Sequence, residues 1–508
     1  MDFFTSSLLY LLLTWFLLQA FKSFRNGSKS SESKLPPGPR RLPIFGNLFD
    51  LGDKPHRSLA KLAQVHGPIM SLKLGSLFTV VVSSETMAKE VLQRQDLTFS
   101  NRTVVDATRA CQHHEVSLSW MPVSPLWRTL RKLCNTHIFA APKLDSSEHM
   151  RRDKIQQLIA SVGNCCLKGE AVNIGQAAFD TSINLLSNTI SSVDLVGPNS
   201  SDAQEFKKTV WNLMAEGGKP NLADYFPLLQ KIDPQGIRCR AAFHLEKLLN
   251  LFEKMYDERR GSRKSHVSND VLDTLLDIIE GGTEELNKTH ALHLLSVISS
   301  APLLFLFTKH WQVLYIAGTD TTSATLEWAM AELLRNQHVL HKAKKELDQA
   351  IGKGNPIEES DINRLPYLQA IVKETFRMHP VVPLLLPRRA GSDAELGGFT
   401  IPEGSQVLVN VWAIGRNPSI WDNPNSFIPE RFLESEVNVK GRHFELIPFG
   451  GGRRVCPGLP LAIRMLHLML GSLVNCFDWE LEDEIDMEEK FGITVQMAKP
   501  LRAIPILV

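Results

Sequence analysis

The chain of 508 residues has almost no net charge: 56 Lys and Arg stand against 55 Asp and Glu, a formal +1. Binding along nucleic-acid phosphates needs a basic excess, so no general nucleic-acid binder is expected, although local basic patches stay open. Paired cysteine motifs are lacking as well. The seven cysteines, Cys111, Cys134, Cys165, Cys166, Cys239, Cys456 and Cys476, make an odd count with no Cys-x-x-Cys among them. A disulfide framework is therefore not expected, and a reducing compartment is. The composition is otherwise that of a globular protein, with 43% hydrophobic and 22% charged residues.

Formal charge is also missing from Phe3 to Phe21, a run of 19 residues rich in Leu and Phe. At about 1.5 Å per residue it nearly crosses a ~30 Å hydrocarbon core. Only Asp2 precedes it, whereas Lys22, Arg25, Lys29 and Lys34 follow, which places the rest of the chain in the cytosol. A cleaved signal peptide would carry its positive charge before the apolar run and a small-x-small site after it, and this segment has neither. Residues 3–21 are thus expected to be a transmembrane anchor. Residues 22–39 read as a basic linker and a stiff hinge, Leu35-Pro36-Pro37-Gly38-Pro39. No repeat and no further linker divides residues 40–508, which read as one domain. Strand patterns occur at Ile69–Leu74, Thr79–Val82 and Gln406–Val411. Helical spacing dominates elsewhere, as in Thr322–Ile351 and Leu459–Cys476. The expected class is mainly α (α+β), an α-rich body with small β-sheets.

The segment richest in chemistry is Phe449-Gly-Gly-Gly-Arg-Arg-Val-Cys456-Pro-Gly458. It is dense in glycine, holds one cysteine and runs into an apolar helix starting near Leu459. A thiolate at a helix N-terminus is stabilised by the macrodipole and the free N–H groups there, as a soft metal ligand must be. Glycines let the backbone approach a flat cofactor, and Arg454 suits a cofactor carboxylate. An isolated cysteine is more often a small buried hydrophobe; the spacing is what turns the reading toward a ligand.

At these residues the sequence resembles the cytochrome P-450 superfamily, whose signature Phe-x-x-Gly-x-Arg-x-Cys-x-Gly is matched by Phe449, Gly452, Arg454, Cys456 and Gly458. The resemblance implies haem b as cofactor, with Cys456 its axial ligand. It implies that Glu374 and Arg377 of Glu-Thr-Phe-Arg join Arg431 of Pro-Glu-Arg-Phe in a buried network supporting the cysteine loop. Ala317-Gly-Thr-Asp-Thr-Thr322 is similar to the family's oxygen-activation motif: Ala317 and Gly318 would leave room for oxygen, and Asp320 and Thr321 would help deliver protons to it. Trp127 and Arg131 of Trp-x-x-x-Arg, together with Arg388 and Arg454, would bond haem propionates. Taken singly, each of these motifs has a bland reading as surface pair, core threonine cluster or core edge; their order and spacing favour the functional one.

Segments such as Asp233-Pro-Gln-Gly-Ile-Arg238 and Met487-Glu-Glu-Lys-Phe-Gly-Ile-Thr494 resemble the plant geraniol 8-hydroxylase group. That resemblance implies hydroxylation of a small terpenoid alcohol with oxygen and with electrons from NADPH through a separate cytochrome P-450 reductase. It also implies residence in the endoplasmic reticulum membrane. Diterpenoid and phenolic substrates are the alternatives. An apolar pocket is expected from Ala317, Val381, Val382, Leu384, Leu385 and Ile493, with 101–120 as a lid. Arg128, Lys132 and Arg453 form a candidate basic face toward the reductase.

One region departs from the group. There about eleven residues separate a Thr-His pair from the Ala-Gly, whereas here 26 lie between Thr289-His290 and Ala317. A retained intron or a gene-model error accounts for the excess near 295–312 more simply than a new site does. The segment is expected to lower activity, which keeps an impaired haem-binding protein as an alternative. A haem-thiolate isomerase or dehydratase would need neither oxygen nor the Asp320–Thr321 pair. Pro302 is expected to force a joint, with one helix ending near Ser299 and another running from about Pro302 through Ile351.

Overall fold

The computed structural model describes Thr14 and residues 34–195, 197, 201–262, 270, 273 and 302–508. The expected anchor at 3–21 and linker to residue 33 lie outside the described residues apart from Thr14. So does the part of the extra segment before Pro302, including the helix expected to end near Ser299. Two compact units form from interleaved stretches of chain. The first takes the residues up to Thr103 with Pro220–Gln235 and Leu384–Ile414; the second takes Val104–Lys219, Gly236–Pro383 and Gly415–Val508.

The first unit is built on a five-stranded sheet of β1 (Ile69–Leu74), β2 (Leu77–Val82), β3 (Asn101–Arg102), β4 (Arg388–Arg389) and β5 (Gln406–Val409), in the order β1-β2-β5-β4-β3. β1 and β2 form a hairpin in register Leu74↔Leu77, and β2 pairs parallel to β5 in register Val82↔Val409. Helix Pro55–His66 covers the sheet through Leu59, which joins Leu51, Met70, Leu72, Leu74 and Val81 in one apolar cluster. The proline hinge docks on β1. Ser71 donates its N–H to Pro37 O and its hydroxyl to Pro36 O, both at 2.7 Å. Gly38 lies so close that a Cβ would fall 1.9 Å from Ser71 O. The third expected strand ends at Val409 rather than Val411, because Asn410 turns the chain into a short helix, Val411–Ile414, accepting from Ala413 N through its side chain.

The second unit is mostly helical. The helices that matter for the site are α1 (Pro125–Leu133), α2 (Ile174–Ser191), α3 (Ser201–Gly218), α4 (Pro302–Arg335), α5 (Pro366–Met378) and α6 (Leu459–Cys476). α4 runs through the core against α2, α5 and α6. It does start at Pro302, the residue from which a second helix is expected. It does not reach Ile351: the chain breaks at Asn336 and resumes as Gln337–Ala350. Asn336 Nδ2 donates to the carbonyl (2.8 Å) and carboxylate (2.9 Å) of Glu332, a local bond that competes with helix continuation. α6 keeps the expected limits, and Met465 to Cys476 are all buried. It is the one helix among the described residues long and apolar enough to cross a membrane, but that burial makes it a core helix. A small sheet joins Val172–Asn173, Arg502–Leu507 and Phe477–Leu481, and Glu489–Lys490 pairs with Gln496–Met497.

Candidate active site

The cysteine loop takes its shape from glycine. Gly450 and Gly452 both adopt left-handed φ, 71° and 66°, a conformation that a Cβ disfavours. The Cys456 N–H closes the loop on Phe449 O at 3.0 Å. Gly458 then caps α6, and Pro460 sits in its first turn, where a missing N–H leaves nothing unsatisfied. The Gly458 and Leu459 N–H groups point at the Cys456 sulfur. Burial pushes the thiol up from its ordinary range, while those two donors and the Arg131 guanidinium favour the thiolate.

α1 begins on Ser124, whose Oγ accepts from Trp127 N at 3.1 Å. The structure brings Trp127 and Arg454 together: the guanidinium carbon sits 5.1 Å from the indole centroid. Both turn to the same stretch of backbone. Trp127 Nε1 donates to Leu118 O at 3.0 Å, and Arg454 donates to Leu118 O, Ser119 O and Met121 O. Arg131 is one turn further along α1. Burial lowers its pKa, and the sulfurs of Cys456 and Cys134 raise it. Arg388 belongs to the first unit, where β4 buries it and its Nη1 donates to Phe99 O at 3.1 Å. Burial pulls its pKa down to about 10, and Asp96 opposes the shift.

α4 is buried on nearly every side around the oxygen-activation motif, yet Ala317 is exposed and Thr321, one turn on, is half-exposed. Thr321 Oγ1 donates to Ala317 O at 2.6 Å. Gly318 corrects one expectation. It does not widen this open face, because a Cβ there would meet Leu186 Cδ1 of α2 at 2.8 Å; its small size serves helix packing. Asp320 points away from Thr321, into the core. Its carboxylate accepts from Thr494 Oγ1 and Gln496 Nε2. Burial raises its pKa to about 6, against Thr494, Lys207 and Gln496, which lower it. The partly buried Cys456 at a helix N-terminus and the open Ala317–Thr321 face on a helix packed against α6 suit a haem.

Glu374, Arg377 and Arg431 do meet. The Glu374 carboxylate accepts from Arg377 Nε and Nη2 (both 2.7 Å), Arg431 Nε (3.2 Å) and Ile428 N (2.8 Å). Arg377 also donates to Gly415 O, Pro424 O and Ser426 O. The next residue to Arg377, Phe376, packs edge-on against Phe449 at 5.1 Å between centroids, which ties α5 to the cysteine loop.

Of the expected pocket residues, Val381 and Ile493 are half-buried in the second unit. Val381 O accepts from Val495 N at 2.8 Å, and Ile493 N donates to Met214 O at 3.3 Å. Val382 is half-buried there as well. Leu384 and Leu385 belong to the first unit; Leu384 packs on the cluster around Leu72, and Leu385 has a left-handed φ of 51°. The expected lid at 101–120 starts with β3 in the first unit. In the second unit it forms short helical turns in which buried Asp106 pairs with Arg238 at 3.1 Å. Arg128, Lys132 and Arg453 are all exposed. Sequence reading missed the polar surroundings of Asp320, namely Asp180, Lys207, Glu327, Thr494 and Gln496. Their only signal was a scatter of polar residues within apolar patterns.

Comparison with known proteins agrees with this geometry. The cytochrome P450 family model matches residues 36–504. Geraniol 8-hydroxylases of Catharanthus roseus and Swertia mussotii are each 52% identical, over 99% of this chain and 99% of theirs. Drimenol monooxygenase of Persicaria hydropiper is 52% identical over 94% of this chain and 93% of its own. A match this long, on a chain whose cysteine loop opens a core helix packed against α4, means that the chain belongs to the cytochrome P450 family and is a haem-thiolate monooxygenase.

Proposed function

We propose that the chain hydroxylates a small terpenoid alcohol such as geraniol, with NADPH as electron source through a separate cytochrome P-450 reductase. The observation that carries the substrate class is the 52% identity to two geraniol 8-hydroxylases along 99% of both chains. The proposed setting is the endoplasmic reticulum membrane, with residues 3–21 as a single anchor and the body in the cytosol. Haem b, when bound, supplies an iron centre at which oxygen is reduced and one oxygen atom enters a substrate C–H bond.

The chain's own residues have distinct parts in this reading. Cys456 holds the iron as a thiolate, with the Gly458 and Leu459 N–H groups offsetting its buried charge. Arg131 and Arg454 would hold the propionates, Trp127 would support Arg454 through its ring because its one N–H goes to Leu118 O, and Phe449 would flank the cysteine loop. Thr321 keeps a hydroxyl oxygen on the open face; its proton goes to Ala317 O, so its lone pairs are left to accept from water. Asp320 would be a proton-exchanging group of α4, because burial raises its carboxyl to about 6. Ala317, Val381, Val382 and Ile493, all in the second unit, would offer apolar surface to a substrate with a single hydroxyl. The test is turnover of geraniol, nerol, drimenol and simple phenols with reductase and NADPH. Hydroxylated geraniol is the expected main product. Oxidation of drimenol or phenols with no attack on geraniol would overturn the substrate assignment.

A further inference from the structure

Asp320 sits in a buried polar cluster on which three helices and one turn converge. α2 brings Asp180, α3 brings Lys207, and α4 brings Asp320 and Glu327; Lys207 faces all three carboxylates. One ammonium cannot balance three carboxylates, so the neutral donors decide how each is held. Glu327 is fixed by main chain. Its Oε1 accepts from Leu501 N at 2.9 Å, and it lies so close to Gly175 that a Cβ there would fall 2.7 Å from its carboxylate. Asp180 accepts from Gln176 Nε2 at 2.7 Å, within its own helix. Asp320 alone among the three is held by side chains from the turn at 492–496.

That turn is itself clamped. Ile493 N donates to Met214 O, and Val495 N donates to Val381 O. Gly217 and Gly218, which end α3, allow close approach: a Cβ on Gly217 would meet Ile493 Cδ1 at 2.5 Å, and one on Gly218 would meet the Gly492 carbonyl carbon at 2.2 Å. Thr494, between these anchors, and Gln496, next after them, reach Asp320, at a separation of 174 residues for Thr494. Thr494 is buried, and satisfied buried polar groups of this kind fix a geometry.

We propose that Thr494 and Gln496 are positioning residues that hold the Asp320 carboxylate and set the proton affinity with which it serves the reaction. This rests on the proton-delivery role given to Asp320 above. Both donors favour the charged carboxylate, so losing either one favours the acid. Lys207 acts in the same sense as the donors, while the Asp320 charge in turn raises the Glu327 carboxyl. Hydrogen bonds to a charged group typically weigh enough to move a midpoint by about one pH unit or somewhat more.

The experiment is an infrared pH titration of the full-length ferric enzyme, reading the Asp320 carboxyl band assigned by its loss in Asp320→Asn. The parent midpoint is expected near 6. Thr494→Val and Gln496→Leu should each raise it by about one pH unit, and Thr494→Ser should restore it. In turnover, the double variant Thr494→Val/Gln496→Leu should send several-fold more NADPH electrons to hydrogen peroxide. Unmoved midpoints in both single variants, with Asp320→Asn still uncoupled, would overturn the positioning role and leave the Asp320 reading standing. Undiminished product per NADPH in Asp320→Asn would overturn that reading instead. Should the double variant not accumulate, the near-isosteric Thr494→Val alone decides the question.

Discussion

Replacing Glu374 with Gln is the sharpest test of how the cysteine loop is supported. The carboxylate is fully buried and takes four hydrogen bonds, two from Arg377, one from Arg431 and one from the Ile428 N–H. Glutamine keeps the shape and one acceptor oxygen but removes the negative charge and turns an NH₂ group toward a guanidinium. Arg377, 1% exposed, keeps its bonds to Gly415 O, Pro424 O and Ser426 O, yet it and Arg431 lose their counter-charge. Removing one partner of a buried ion pair costs about 3–5 kcal/mol. Against a usual total of about 5–15 kcal/mol, that lowers the folded-to-unfolded ratio by on the order of 10²- to 10⁴-fold. The assay is urea unfolding followed by tryptophan fluorescence and by the fraction of haem that binds carbon monoxide as a thiolate complex. Both midpoints should fall, with the haem signal lost first, because Phe376 links this helix to Phe449. The exposed pair Lys342–Glu430, with Lys342 54% accessible, is the control, and Lys342→Met should change stability by less than about 1 kcal/mol. A Glu374→Gln chain as stable as the Lys342→Met chain would refute the reasoning.

Thr321→Ala should leave haem binding intact and divert electrons to hydrogen peroxide, read as product formed per NADPH consumed; an unchanged ratio would contradict the role given to its hydroxyl. Charge reversal at Arg128, Lys132 and Arg453 should weaken electron transfer from the reductase most at low salt, because exposed charges are screened within about 8–10 Å at physiological ionic strength. A defect independent of salt would argue against electrostatic docking. Deleting about 15 residues between Leu295 and Val313, the excess implied by the spacing before Ala317, should raise both carbon monoxide-binding haem and geraniol turnover. Equal values in the two chains would show the extra segment to be harmless.

The parts of the site that could be read from sequence are those encoded within a few neighbouring residues. The cysteine loop is one, since its glycines, Cys456 and the start of α6 are contiguous. Strand Ile69–Leu74, helix Leu459–Cys476 and the new helix start at Pro302 are others. The break at Asn336 escaped because apolar spacing continues across it, while the Asn336 side chain turns back onto Glu332. Gly318 looked like room for oxygen when read along its own helix; its actual neighbour, Leu186, comes from α2. Glu374 and Arg377 are three residues apart and pair visibly, but the carbonyls that satisfy Arg377 lie 38 to 49 residues away. The Asp320 cluster was least legible, because its members have ordinary polar side chains that acquire meaning only when α2, α3, α4 and the turn at 492–496 pack together. Burial and proximity, which no local pattern encodes, create both the shifted carboxyl and its donors.

The central claim, a haem-thiolate centre held by Cys456, is tested most directly by Cys456→Ser and the carbon monoxide difference spectrum of the reduced protein. The account predicts that the thiolate-type band of the parent chain disappears in the variant, even where some haem stays bound through Arg131 and Arg454. A variant that keeps the parent's thiolate band, at the parent's intensity per haem, would contradict it.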